Sequence, residues 1–296
     1  MEKTEKINPT KEITEKIIAQ LEKGVIPWKK PWFGMRSGAK SYNTGKPYSL
    51  LNQLILAEPG YYLTYNQATK LGGHVKKGAK ASRIYYWNII HREAIDDKGE
   101  KKQVSIPYLK SYAVFHEKDC EDIPMKEDSE NINLAEFNPI DSAEQIFTDY
   151  ISRENINFKN EKGDDAFYSP LNDSIVLPLK EQFEEPAEYY STLYHEAAHS
   201  TGAKKRLNRF EEGSYFGSEP YSKEELVAEI SAAVSLNELK IDTPDTEKNS
   251  IAYCQSWLSV LKNDPKFIVS AASKAEKAVK LIWGEAEEEK EVETNE

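Results

Sequence analysis

Residues 192–209 read "TLYHEAAHSTGAKKRLNR", and the pattern His195-Glu196-x-x-His199 within them decides how the second half of the chain is understood. Positions four apart on an α-helix share a face, so two imidazoles can hold one metal ion while Glu196 projects between them in angle, near a water on that metal. The competing reading is a helix that spells the pattern by chance, its histidines structural. Context favours the metal: apolar Leu193, Ala197 and Ala198 flank the motif, and an edge-strand candidate precedes it, in a region where "AFYSPLNDSIVLP" (166–178) reads as two short strands around a Pro-Leu-Asn-Asp turn.

A tetrahedral catalytic zinc needs a third protein ligand and leaves its fourth position to water. The other histidines are His74, His91 and His116, all far upstream, and the extended three-histidine motif fails because Lys205 stands where its last histidine belongs. A carboxylate is therefore expected, and "YSKEELVAEISAA" (221–233) supplies Glu224, Glu225 and Glu229 within an apolar helical pattern. Glu225 and Glu229 face the same way. The arrangement resembles that of gluzincins, which implies Glu225 as zinc ligand and Glu229 as the acid orienting a ligating histidine; the reverse assignment stays open, as does a solvated pair of carboxylates. With one zinc ion bound, its water is acidified toward ~7 and Glu196 takes the proton and passes it to the leaving group, so peptide hydrolysis is the expected reaction. Tyr215 or Tyr221, in the loop between the two helices, is the candidate partner for the oxyanion.

Outward from this site, "DSAEQIFTDYISRE" (141–154), "NSIAYCQSWLSVLKND" and "PKFIVSAASKAEKAVKLIWG" read as further helices. Pro186, behind Glu184 and Glu185, opens the motif helix and Gly202 closes it. Upstream, Ile13, Ile17, Ile18 and Leu21 share one face of a first helix with Thr10 as N-cap and Gly24 as stop. A Pro- and Gly-interrupted loop leads to "SLLNQLILA". Then comes a short helix ended by Gly72 and Gly73, followed by the strands "SRIYYWNII" and "SYAVFHE", with the charged "REAIDDKGEKKQ" as the loop between them. The fold class is α+β, in two domains: residues 1–120 with an antiparallel sheet, an acidic linker at 121–140, a mostly helical domain at 141–284 and a disordered acidic tail at 285–296.

The composition, 39% hydrophobic and 30% charged, is globular. No apolar run approaches membrane-spanning length and the N-terminus lacks a signal-peptide core, so a cytoplasmic protein with no membrane partner is expected. Cys120 and Cys254 are too few and too far apart for a disulfide framework or a cysteine zinc site. The net charge of −11 conceals an asymmetry: residues 1–120 carry 21 Lys and Arg against 12 Asp and Glu, and the remainder 18 against 38. The basic half suits a polyanion. Its cations are interleaved with rings, as single-stranded nucleic acid binders require for phosphates and bases: Trp28, Lys29, Lys30 and Trp32 in "PWKKPW", Tyr42, Lys46 and Tyr48 in "YNTGKPY", and Lys76, Lys77, Lys80 and Arg83 in "HVKKGAKASR". Backbone amides of the "GGHVKKGAK" turn are further candidates for a phosphate. In "IYYW" strand alternation should bury half of the rings.

Taken in one colinear order, "PWKKPW", "NTGKPYSLLNQLIL", "YLTYNQATKLGGHVKKGAKA", "YAVFHEKDCEDIP", "STLYHEAAHSTGAKKRLNR", "FGSEPYSKEELVAEISAA" and "WLSVLKNDPKFIVSAASKAEKA" resemble the ArdC antirestriction family. The N-terminal domain of that family also occurs in TraC-type plasmid primases. The resemblance spans most of residues 10–282. It implies a single-stranded DNA-binding domain joined to a zincin-like metallopeptidase domain, in a protein that shields the incoming DNA of a mobile element from restriction. Ala197 and Ala198 depart from the bulkier residues frequent there and leave the ligands intact. Three readings follow: an antirestriction protein with a working peptidase, a DNA-binding module whose zinc is structural, and a DNA-dependent protease acting on DNA-bound proteins.

Overall fold

In α1 (Pro9–Leu21) the apolar spacing is realised as burial, with Ile13, Ile17 and Leu21 all enclosed. The computed structural model describes residues 9–29, 38–56, 58–95, 101–126, 139–210, 219–241 and 257–285. Pro9 itself opens α1, where a missing N–H costs nothing, so Thr10 lies inside the first turn and not at the N-cap. Gly24 follows the helix with φ +74, a conformation that other residues resist.

The N-terminal sheet is built on a long hairpin. Strands β4 (Ser82–Ile95) and β5 (Lys101–His116) pair antiparallel from Ser82 opposite Val114 to Ile95 opposite Lys101. The charged stretch expected as a loop is thus mostly strand. Once a hairpin ladder has started, each further pair satisfies its own backbone groups, and charge alone does not end it. Strand β2 (Gly60–Leu63) pairs antiparallel with the end of β5, and β1 (Ala39–Ser41) lies parallel to β2, giving the order β1-β2-β5-β4. Helix α2 (Leu50–Ile55) buries Leu50, Leu51 and Leu54, and its Asn52 bonds the backbone of Tyr85 at both N–H and C=O. Helix α3 (Tyr65–Lys70) starts on a capping box between Thr64 and Gln67.

Beyond α3 the two residues of β3 (His74–Val75) pair with β6 (Cys120–Glu121). A Cβ at Gly73 would lie 2.3 Å from the Glu121 carbonyl oxygen, so this close approach requires glycine. Glu121, expected in the linker, is therefore still part of the N-terminal half, and the Tyr42 hydroxyl donates to the Pro124 carbonyl just beyond it.

The C-terminal half opens with α4 (Pro139–Glu154) and a three-stranded sheet. Strand β9 (Ser174–Pro178), buried along its whole length, lies between β7 (Asn157–Glu161) and β8 (Phe167–Ser169), parallel to the first and antiparallel to the second. The polar "NFKNE" of β7 hides its strand character from a hydrophobicity pattern because it sits at a sheet edge. Helices α5 (Pro186–Thr201), α6 (Glu219–Glu238) and α7 (Phe267–Trp283) follow, with a further helical stretch at 257–263. Pro186 occupies the first turn of α5, Gly202 caps its end, and Gly284 ends α7 in the left-handed conformation.

Two buried clusters meet on α6. Leu226, Val227, Ile230 and Val234 pack with Ile13, Ile17, Trp28, Leu50 and Leu54, together with Trp257 and the apolar face of α7. Ala232, Leu236 and Leu239 pack instead with Phe147, Tyr150, Ile175, Leu193 and Tyr194. The helices of the basic half thus complete the core beneath the helix that carries the candidate acidic ligands. Among the described residues no helix is long and apolar enough to cross a membrane.

Candidate metal centre

Helices α5 and α6 pack side by side and bring the histidine face of one against the acidic face of the other. The Nε2 atoms of His195 and His199 lie 3.1 Å apart. The two oxygens of Glu225 lie 3.4 Å from His195 Nε2 and 3.3 Å from His199 Nε2. An ion held tetrahedrally at about 2.1 Å by such ligands sets them about 3.4 Å apart. The donor set, two imidazoles and a carboxylate, therefore fits a divalent metal in both chemistry and spacing, and these three residues form the metal-competent cluster among the described residues.

The outer nitrogens of the same rings also have acidic neighbours. Glu229 Oε2 lies 3.6 Å from His195 Nδ1, and Glu224 Oε1 lies 3.6 Å from His199 Nδ1. Glu225 thus faces the inner nitrogens, and Glu229 and Glu224 face the outer ones. Burial opposes a charge on either imidazole, but hydrogen bonds donated to Glu225 and Glu229 lift the His195 pKa well above its ordinary value, and those to Glu224 and Glu225 raise that of His199. Burial likewise works against an ionised Glu225, yet the two histidines pull its carboxyl well below the usual range. Where protons neutralise these carboxylates, a dication can do the same.

Glu196 lies on α5 between the two histidines, 8% exposed. Tyr221 stands, partly buried, on the first turn of α6; Tyr215 lies outside the described residues. Lys205, which displaces the third histidine of the extended motif, forms an ion pair of 2.7 Å with Asp173 in the β8–β9 turn. Arg206 beside it, 1% exposed, bonds the same carboxylate, the Tyr168 hydroxyl at 3.0 Å and the Ser200 carbonyl at 2.7 Å. Sequence spacing does not single out Arg209, whose guanidinium holds both oxygens of Glu224, at 2.6 and 3.2 Å. Only its place in the basic run after the motif hints at a role.

The basic half distributes its expected contacts differently. Trp28 is fully buried, its ring edge-to-face with Trp257 at 5.1 Å, and so is a core residue and not a stacking surface. Tyr42 is also buried, against Tyr61. In both cases the partner lies remote in sequence, and apolar burial outweighs solvent exposure. Tyr48 is half-buried, and Tyr85 takes the buried position expected of alternate rings in "IYYW". Lys46, Lys76, Lys77, Lys80 and Arg83 are exposed. Lys29 falls in a short 3-10 turn (Pro27–Lys29), and Lys30 and Trp32 lie outside the described residues. Within the glycine turn expected to meet a phosphate, the amides of Gly72, Gly73, Lys76 and Ala79 are already engaged, donating to the carbonyls of Thr69, Ala68, Asp119 and Lys76.

Comparison with known proteins connects these two halves to known families. Residues 8–115 match the profile of the N-terminal domain of the anti-restriction factor ArdC, and residues 142–274 that of a zincin-like metallopeptidase. The chain is 33% identical over 287 residues to the DNA primase TraC of Escherichia coli, covering 90% of this chain and 26% of the primase. It therefore spans about a quarter of that relative. The metal-free crystal structure of the antirestriction protein ArdC from plasmid R388 superposes with a TM-score of 0.72 at 33% identity, covering 93% of this chain and 97% of that one. Its Mn(II)-bound form gives 0.71 at 31%, covering 94% and 98%.

Proposed function

Because the chain belongs to the ArdC antirestriction family, we propose that it is the antirestriction protein of a mobile element, binding single-stranded DNA through its basic half and carrying a zinc metallopeptidase-like site in its acidic half. The observation that carries the second part is the convergence of His195, His199 and Glu225 beside the buried Glu196. In this reading those three residues hold one zinc ion, and Glu229 orients His195. Bound there, zinc supplies a Lewis acid that polarises a carbonyl and acidifies water. Glu196, enclosed on the same helix, takes the proton and returns it to the departing amine. Tyr221 donates toward the oxyanion from the first turn of α6, with Tyr215 as the alternative donor. The functional division lies between the N-terminal residues 1–120, with β6 carrying that half on to Glu121, and residues 141–284, and DNA-bound protein is the peptide substrate.

Support for the DNA part is the charge of the first half and the exposure of Lys46, Lys76, Lys77, Lys80 and Arg83. A DNA-binding protein whose zinc is purely structural is the second reading, and one observation favours it: the cluster bridges α5 to α6, so an ion there ties the helices together. Glu196→Gln separates the two. The variant should retain one zinc per chain by metal analysis and lose peptide hydrolysis by about 10²–10⁴-fold. Loss of protection against restriction in cells ties hydrolysis to function, whereas full protection by a zinc-loaded variant leaves only the structural reading. DNA-stimulated cleavage of the chain itself or of a bound protein is the mark of a DNA-dependent protease.

A further inference from the structure

Arg209 follows the metal-motif helix and is only 3% exposed on its side chain, yet none of the chemistry above uses it. Its guanidinium fills three roles at once. Nη1 donates to Thr201 Oγ1 at 2.6 Å and Nη2 to the Ala198 carbonyl at 2.8 Å, both in the last turn of α5. Nη2 and Nε grip Glu224 on α6 as a two-pronged fork. Glu224 in turn stands at Nδ1 of His199, the nitrogen that points away from the metal cluster.

The two histidines are thus supported unequally. Among the described residues no guanidinium grips Glu229 beside His195, whereas Glu224 is held at both oxygens by Arg209 where it meets His199. A carboxylate free to rotate can orient an imidazole only by giving up its own side-chain entropy, while one already clamped presents its acceptor at no such cost. A guanidinium alone among the basic side chains offers this planar double grip. The same side chain also fastens the end of α5, from which His199 projects, to the start of α6, from which Glu225 projects.

We propose that Arg209 is a positioning residue for the metal: through Glu224 it fixes the orientation of His199 and the spacing of α5 and α6, and so sets the affinity of the site. This rests on the metal reading given above and assigns Arg209 no contact with the ion.

The test is a double-mutant cycle on the full-length chain, read by competition for Zn(II) with a chromogenic chelator and by thermal unfolding of the metal-free protein. Glu224→Gln keeps the shape of the side chain and should weaken Zn(II) binding about 10- to 100-fold. Arg209→Lys retains the charge without the fork and should weaken it about tenfold in the parent chain, yet change it little when Glu224→Gln is already present, because the path to His199 has been cut. Equal losses from Arg209→Lys in both backgrounds, or unchanged affinity with only a lowered melting temperature, overturn the proposal and leave Arg209 as a helix staple. Absence of Zn(II) binding by the unaltered chain is a different failure, which removes the metal reading itself and this inference with it.

Discussion

The acidic half holds its candidate metal ligands from behind, and the basic half presents its candidate phosphate contacts to water. His195, His199 and Glu225 project from two packed helices, and their outer atoms meet Glu229, Glu224 and, through the latter, Arg209. Lys46, Lys77, Lys80 and Arg83 stand exposed on turns and strand ends. A site built the first way is sensitive to single substitutions, because each group is located by several others; one built the second way loses affinity in small, nearly additive steps. The largest test of this contrast lies where the halves meet. Trp28, read from its sequence neighbours as a stacking ring, is enclosed with Trp257, Leu226 and Ile230. Trp28→Ala should destabilise the chain by about 3–5 kcal/mol, measured by denaturant unfolding. If it instead lowers DNA affinity with stability intact, the ring belongs to the presented set after all.

Next in size is the difference between two carboxylates one helical turn apart. Glu225→Ala removes a group that faces both inner nitrogens and should weaken Zn(II) binding by more than about 100-fold, whereas Glu229→Ala removes a support and should cost about 10- to 100-fold. Calorimetry on both variants decides the order, and a reversal makes Glu229 the ligand.

How far this contrast is legible in the sequence depends on the range of the rule involved. The metal face follows from helix spacing: His195 to His199 and Glu225 to Glu229 are four-residue steps, and any helix carrying them aligns them. The shortage of other histidines calls for a carboxylate, and the resemblance to gluzincins is what points to the helix that carries it. Burial has no such local rule. Nothing within "PWKKPW" shows that Trp28 meets Trp257 near the other end of the chain, or within "YNTGKPY" that Tyr42 is covered by Tyr61. The extension of β4 and β5 through charged residues, the polar edge strand β7 and the clamp on Glu224 are likewise set by pairing across the fold.

The pH dependence gives a smaller, continuous test. Carboxylates raise the pKa of His195 and of His199 in the metal-free chain, so the fold binds those protons more tightly than the unfolded chain does. That contribution to stability is complete below about pH 6.5 and fades as pH rises through the folded values. Metal affinity runs the other way, since the ion must displace the protons, and it should fall about tenfold per pH unit for each proton displaced as the solution is acidified. Zn(II) titrations across neutral pH, set against unfolding curves of the metal-free protein, should therefore show opposite slopes; parallel slopes place the ion elsewhere.

The smallest effects belong to the basic half. Lys77 and Lys80 flank a turn at Gly78 with φ +87, and both are exposed. Replacing either by Gln removes one charge and little packing, so unfolding free energies should stay within about 0.5 kcal/mol of the parent. If the lysines meet phosphates of a single strand, each substitution reduces the slope of log affinity against log salt by about 0.7, with the same loss on every sequence tested. The neighbouring Gly72, Gly73, Lys76 and Ala79 amides are already spent on backbone carbonyls and do not compensate for the missing charge. An unchanged salt slope in both variants moves the strand off this turn. Tighter binding to duplex than to single strands shows that charge alone, without exposed rings, accounts for the interaction.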